Sequence, residues 1–276
     1  PIRLIAIDLD GTLLNSRNEI SEENRRALAA AHQTGVEVVV VTGRRFHSAR
    51  PLCEQIPFPT AIISSNGARV GDISGAVLHR NFLPQEIARR VVELAADYRP
   101  YTVAIFDRPG RGQVMMQVGA SHQGPLAWYL RNNPDCLELV PDLPAAITTD
   151  PIHVAFGGPP ASIEPLEAVL RGAALAKAVH ITWTKYLTRN VSLLDVMNRG
   201  CSKGSALAFW AAHRGIPAQE VMAIGDNHND REMLEFAGRG VLMANGSTDL
   251  SDGRWFRTLS NDEHGVAEAI RRFVLK

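Results

Sequence analysis

Short apolar runs that stop abruptly on an acid or a hydroxyl are the feature that most constrains this chain. Residues 2–8 read IRLIAID and are broken by Asp8, and VMAIGD (221–226) is broken by Asp226. Between them, VEVVVVTGR (36–44) ends in Thr42-Gly43-Arg44, and TAIISSNGA (60–68) ends in Ser65-Asn66-Gly67. Apolar runs of this length, rich in Val and Ile, are strands buried on both faces. Helical segments separate them. SEENRRALAAAHQTG from Ser21 has an N-cap candidate, acids in its first turn and Gly35 as a stop. SKGSALAFWAAHRG from Ser202 ends on Gly215, NHNDREMLEFAG is a short helix, GVLMA (240–244) is a last strand, and HGVAEAIRRFVLK is a closing helix. Strands alternating with helices predict an α/β, doubly wound parallel sheet of Rossmann-like type.

The middle of the chain has a different texture. A helix is expected after Pro84, to about Tyr98. YTVAIFD and QVMMQVG flank the turn RPGRG as a hairpin. Further elements are a helix at about 123–132, a strand at 152–157, a helix at about 161–176, and strands near 178–185 and 191–196. This α+β pattern, suited to an antiparallel sheet, reads as a second domain inserted into the first. The expected division is a core of 1–82 and 190–276 and an inserted domain of 83–189.

Composition removes several classes of function. Lys+Arg is 29 and Asp+Glu is 29, so the basic excess of a nucleic-acid or anionic-membrane binder is missing overall. No apolar run approaches the ~20 residues of a membrane span. Asp8 and Asp10 interrupt any secretory apolar region, and a start at Pro1 rather than Met is expected from processing or trimming. Cys53, Cys136 and Cys201 are few and widely spaced, with no disulfide framework or zinc motif. A reduced, cytoplasmic protein is expected.

In open parallel sheets, ligands bind beyond the carboxyl ends of the strands. The residues there are Asp8 and Asp10, Thr42-Gly43-Arg44, Ser65-Asn66-Gly67, and Asp226 to Asp230, with Lys203 opening the helix before the fourth run. Asp8, Asp10 and Asp226 converging at one edge would repel one another and hold their protons more tightly. A hard divalent cation with oxygen ligands relieves this, and Mg²⁺ is the natural candidate because it takes carboxylates, waters and a substrate phosphate. Thr42, the Gly43 amide, Lys203 and Asn229 are donors suited to a phosphoryl group.

DLDGTLL (8–14), VVVTGR (39–44), the Lys of CSKG (201–204) and GDNHND (225–230) resemble, in order, the four motifs of the haloacid dehalogenase-like superfamily phosphatases. SSNGA (64–68) and the long insertion resemble its Cof-like subclass, which carries a large α/β cap (type IIB). The resemblance covers essentially the whole chain. It implies that Asp8 is a nucleophile forming an aspartyl-phosphate and that Asp10 is a general acid–base. It implies that Asp8, the Asp10 backbone carbonyl and Asp226 hold Mg²⁺. The Leu9 and Gly43 amides, the Thr42 hydroxyl, Lys203 and Asn229 would bind phosphate, and Asp230 would support the metal waters or orient Lys203. The tail GVLMANGSTDL departs from the family's usual ending, with Ala244 where Gly is expected, a change expected to alter the loop beside the site without catalytic consequence.

Each residue also has a plainer reading. Asp8 and Asp10 alone could be a turn, Thr42 a helix N-cap, Lys203 a solvated charge, and Asn66-Gly67 a simple turn. Of Arg44 and Arg45, one is expected near the site and one on the surface. Lysine is rare beside arginine here (Lys177, Lys185, Lys203 and Lys276), which favours a chosen role for Lys203. His228 reads as a loop residue at the entrance. His122, His153 and His180 read as structural, and Trp128, Tyr129, Trp183 and Tyr186 as packing. The expected function is hydrolysis of small phosphorylated metabolites, sugar phosphates first, with neither nucleic acid nor membrane as partner. A phosphomutase of the phosphomannomutase type, a non-catalytic phosphometabolite-binding protein and a receiver-like phosphoacceptor are the rivals. A receiver is about half this length and has no insertion.

Overall fold

The computed structural model describes residues 1–119, 134–186, 190–250 and 253–275. The chain divides into two compact units, Pro1–Arg80 with Ser202–Lys276, and Asn81–Cys201. In chain order the first segment contributes strands β1 (Leu4–Ile7), β2 (Glu37–Val41), β3 (Ala61–Ser64), β4 (Arg69–Asp72) and β5 (Val77–Arg80). The second unit contributes β6 (Thr102–Ile105), β7 (Val114–Gln117), β8 (Leu137–Val140), β9 (His153–Gly158), β10 (Val179–Tyr186) and β11 (Val191–Asn198). The returning segment adds β12 (Val221–Gly225), β13 (Arg239–Leu242) and β14 (Phe256–Arg257).

The first unit is one sheet in the order β14-β13-β12-β1-β2-β3-β4-β5. It is parallel from β14 through β3, and β4 and β5 extend it antiparallel. Alternate residues serve two separate cores, as a strand buried on both faces requires. Ile5, Ile7, Val38, Val40 and Ile224 join one cluster with residues of the helices Glu22–Gln33 and Gly265–Phe273. Leu4, Ala6, Val39, Val41 and Ala223 join the other, with the helices Lys203–His213 and Arg231–Phe236. Burying each Val, Leu or Ile side chain among these is worth about 1.5–3 kcal/mol. The doubly wound α/β sheet is therefore present. The β4–β5 hairpin and the two-residue β14 were not legible as strands.

The second unit is a sheet in the order β10-β11-β9-β6-β7-β8. Its pairs are antiparallel except β7 with β8, which is parallel, a departure from the all-antiparallel expectation. Ala104, Met115, Val154, Phe156, Leu194 and Val196 on one face pack with the helices Gln85–Leu94 and Pro160–Gly172. The expected helix to Tyr98 stops at Leu94 and continues as the 3-10 segment Ala96–Tyr101, which contains Pro100. The helix expected at 123–132, with His122, Trp128 and Tyr129, lies outside the described residues. The second crossing between units falls at Cys201–Ser202, not at 190, because β11 is hydrogen-bonded between β9 and β10. Trp183 donates its Nε1–H to Glu167 at 2.8 Å and packs on the same cluster, a structural role. His153 lies 3.5 Å from Asp195, both buried within this unit.

Candidate active site

Strand register brings the first unit's polar residues to one edge. Ile7 pairs with Ile224 on one side and Val40 on the other, and Val41 pairs with Ile63. Asp8 N–H then donates to the Ile224 carbonyl at 3.1 Å and Thr42 N–H to the Ile63 carbonyl at 2.8 Å. The next residue of each strand therefore leaves the sheet at the same level. After β1 the chain turns at once: Thr12 and Leu14 N–H groups return to the Leu9 carbonyl, and Gly11 takes a positive φ of 79°. The Leu9 side chain is buried in the core, so only its backbone can serve a ligand.

Lys203 is the centre of the cluster. Ser202 caps its helix in a reciprocal box with Ser205, which points the first residue inward. Lys203 is 1% exposed, and its Nζ donates to Asp8 Oδ1 and Asp230 Oδ1, both at 2.6 Å. Asp230 in turn accepts on Oδ2 from the Asp226 and Asn227 N–H groups at 2.9 and 3.0 Å, which fixes the turn after β12. Asp226 accepts from the Thr12 hydroxyl at 3.0 Å.

Burial dominates the electrostatics. It pushes the Asp8 carboxyl up to about 7 against the pull of the Lys203 charge, with Asp230 and Asp10 pushing the same way as burial. Asp226 is raised well above the usual carboxylate range, first by burial and then by Asp230 and Asp8. Lys203 is opposed by burial but raised by Asp230 and Asp8 together, so it stays charged.

Carboxylate oxygens of Asp8, Asp226 and Asp230 all lie within 4.8 Å of one another. Three carboxylates face one ammonium, a local deficit of positive charge that suits a hard divalent cation. Both oxygens of Asp230 already accept, on one side from Lys203 and on the other from backbone amides, so Asp8 and Asp226 have the greater capacity to coordinate. Asp10's side chain takes no part in this grouping. It meets Arg44, the one arginine expected near the site; the other, Arg45, is buried and not on the surface as expected. Arg45 forms the N-cap of the helix Phe46–Cys53.

Thr42 is fully buried and its hydroxyl accepts from the Arg44 N–H at 3.1 Å. Gly43 is exposed, beside Asn66 and Asn229. Asn229 donates its Nδ2–H to Asn66 Oδ1 at 2.9 Å. Gly67 abuts the Ser202 carbonyl at the start of the Lys203 helix. Thr12 was missed in the sequence, since a hydroxyl after a turn gives no periodic signal. Asn245 was missed too: in the loop after Ala244, it donates to the Gly11 carbonyl at 2.8 Å and so braces the turn after β1. His228 lies on this side as well, 3.1 Å from the Ser247 hydroxyl.

A family model described as haloacid dehalogenase-like hydrolase matches residues 5–270. Phosphatase YwpJ of Bacillus subtilis (strain 168) is 31% identical, over 99% of this chain and 100% of its own length. The 5-amino-6-(5-phospho-D-ribitylamino)uracil phosphatase YcsE of the same organism is 29% identical, over 99% and 96%. The crystal structure of a haloacid dehalogenase-like hydrolase from Bacteroides thetaiotaomicron superposes with a TM-score of 0.79 at 28% identity, covering 99% of both chains.

Proposed function

Since this chain belongs to the haloacid dehalogenase-like hydrolases and is a phosphoric monoester hydrolase, we propose that it is a Mg²⁺-dependent phosphatase of small phosphorylated metabolites, phosphorylated sugars first. The observation that carries this reading is the buried Lys203 shared by Asp8 and Asp230 beside Asp226. A binding protein has no need of a second carboxylate at Asp10. The relative named for 5-amino-6-(5-phospho-D-ribitylamino)uracil supports a small phosphorylated substrate.

In this reading, Asp8 attacks phosphorus and forms an aspartyl-phosphate while the phosphorus–oxygen bond to the leaving alcohol breaks. Asp10 gives that alcohol its proton, then takes one from the water that hydrolyses the acyl phosphate. Lys203, the Thr42 hydroxyl, the Leu9 and Gly43 amides and Asn229 hold the phosphoryl oxygens. Asp8, the Asp10 carbonyl and Asp226 would hold Mg²⁺, which supplies charge neutralisation at the phosphoryl group when bound. Asp230 orients Lys203 and the turn after β12. The unit Asn81–Cys201 carries none of these motifs, and we assign to it the choice of leaving group.

The test is phosphate release from a panel of sugar phosphates, nucleotides, flavin mononucleotide and pyridoxal phosphate. It is run with Mg²⁺, with a chelator, and with Asp8→Asn. Turnover that needs Mg²⁺ and is lost in the variant is expected. Absence of release from every substrate with the unaltered protein would overturn the reading.

A further inference from the structure

Three consecutive residues after β3, Ser65, Asn66 and Gly67, have left-handed backbone, with φ of 51°, 53° and 100°. Ser65 and Asn66 are also buried, at 0% and 2% exposure. Left-handed backbone is strained for a residue with a Cβ and persists only where surrounding contacts enforce it. Two in tandem, out of solvent, are a costly way to build a turn.

The contacts show what the conformation achieves. Ser65 N–H donates to the Arg44 carbonyl at 2.8 Å and Asn66 N–H to the Thr42 carbonyl at 3.0 Å, one on each side of Gly43. Asn66 Oδ1 accepts from Asn229 Nδ2 at 2.9 Å. A Cβ on Gly43 would lie 3.0 Å from that same Asn66 oxygen. Gly67 closes on the Ser202 carbonyl so tightly that a Cβ would sit 2.1 Å from it. One short turn thus touches the three chain segments that carry Thr42, Lys203 and Asn229.

We infer that Asn66 is a positioning residue that holds the Asn229 amide and the Thr42–Gly43 backbone in the donor arrangement required by a phosphoryl anion; this rests on the phosphatase reading above. The chemistry is directional. A carboxamide has a donating end and an accepting end. With Asn66 Oδ1 in place, turning Asn229 over would set two carbonyl oxygens against each other. Without it, Asn229 is free to present its own carbonyl to the anion, an acceptor facing an acceptor.

Asn66→Gly isolates the amide, because glycine keeps left-handed backbone without strain. Mg²⁺-dependent binding of orthovanadate is measured by calorimetry for the unaltered protein, Asn66→Gly, Asn229→Ala and the double variant, with thermal midpoints alongside. The expected result is about 10-fold weaker binding in Asn66→Gly, the size of one lost hydrogen bond to a charged group. Asn229→Ala should lose a similar factor and the double variant little more, because the two residues act as one unit. Unchanged binding in Asn66→Gly would overturn the inference, and so would losses that multiply in the double variant, the mark of an independent contact. Failure of the unaltered protein to bind vanadate or hydrolyse p-nitrophenyl phosphate would overturn the phosphatase reading, and the inference with it. Should Asn66→Gly not fold, the Asn229 side-chain amide protons of the unaltered protein give a second readout. One slowly exchanging proton supports the tie, and rapid exchange of both overturns it.

Discussion

The guanidinium of Arg44 grips the Asp10 carboxylate through two hydrogen bonds, Nε to Oδ2 at 2.7 Å and Nη2 to Oδ1 at 2.5 Å. Both groups are about a third exposed or less, at 27% and 32%. A carboxylate held by both oxygens is oriented as a base. To give a proton to a leaving alcohol, one oxygen must be released from Arg44. The geometry therefore matches the water-activating half of the proposed reaction and sets a condition on the other half.

Leaving-group dependence exposes this. Asp10→Asn should lower kcat by about 10²- to 10⁴-fold for alkyl phosphates, which need a proton on the departing oxygen. p-Nitrophenyl phosphate, whose phenolate leaves unaided, should suffer far less in the first step. Arg44→Ala should lower kcat by about 10-fold for alkyl phosphates through loss of orientation. Its stability should change by no more than about 1 kcal/mol, because the pair is partly solvated. Equal losses in kcat/KM, which reports the first step alone, for both substrate types would argue against Asp10 as the acid.

Removing the central cation should be the most damaging single change to stability. Lys203→Met keeps the bulk and leaves Asp8 and Asp230 uncompensated at a buried site. A loss of about 3–5 kcal/mol near pH 8 is expected, as for breaking one side of a buried ion pair. Near pH 5 the loss should shrink, because Asp8, raised to about 7, takes up a proton there. Chemical denaturation at the two pH values measures the difference.

Proton and cation compete at this site. With Asp8 raised from 3.8 to about 7, the cation-free folded chain holds a proton that the unfolded chain has released across that window. Without a cation, Asp8 therefore costs stability progressively as pH rises through it. Divalent-cation binding displaces protons from Asp8 and Asp226, both raised by burial, so affinity should rise with pH through about 7. Calorimetry with Mg²⁺ in two buffers should show proton release near pH 6 that falls as pH rises through about 7 and Asp8 ionises on its own. A gain in thermal midpoint from Mg²⁺ that is independent of pH would contradict the assignment.

Gly67→Ala tests the close approach of the turn to the Lys203 helix. The added methyl meets backbone, not a yielding side chain, and sits on a residue with φ of 100°. A loss of about 3 kcal/mol or more is expected, combining overpacking with left-handed strain. A thermal midpoint within 1–2 °C of the unaltered protein, against about 2–4 °C per kcal/mol at this size, would show that the turn can move.

The carboxylates of the candidate site were legible because a parallel sheet delivers the residue after each buried strand to one edge. Asp8, Thr42 and Asp226 follow from that alone, and Lys203 from its place in a helix before β12. What escaped was set by shape, not pattern. Thr12 reaches Asp226 only because Gly11 turns the chain, and Asn245 acts through a backbone carbonyl. The β4–β5 hairpin is interrupted by Gly71 and Gly75, which hide its alternation. β11 is apolar enough for either sheet, so only its partners β9 and β10 could assign it to the second unit.

β1 lies at the middle of its sheet, yet one of its neighbours, β12, is made last of all the strands that touch it. Thr12 and Asp226 are 214 positions apart in the chain. At ~5–20 residues per second, β1 waits on the order of 10 to 40 seconds during synthesis with one edge unpaired. A bare, apolar edge is a template for other chains. The inserted unit has all its described strands by Asn198 and can fold while the outer one still waits. A chaperone that shields β1 in that interval would raise the yield of active protein without altering the melting temperature of what is recovered.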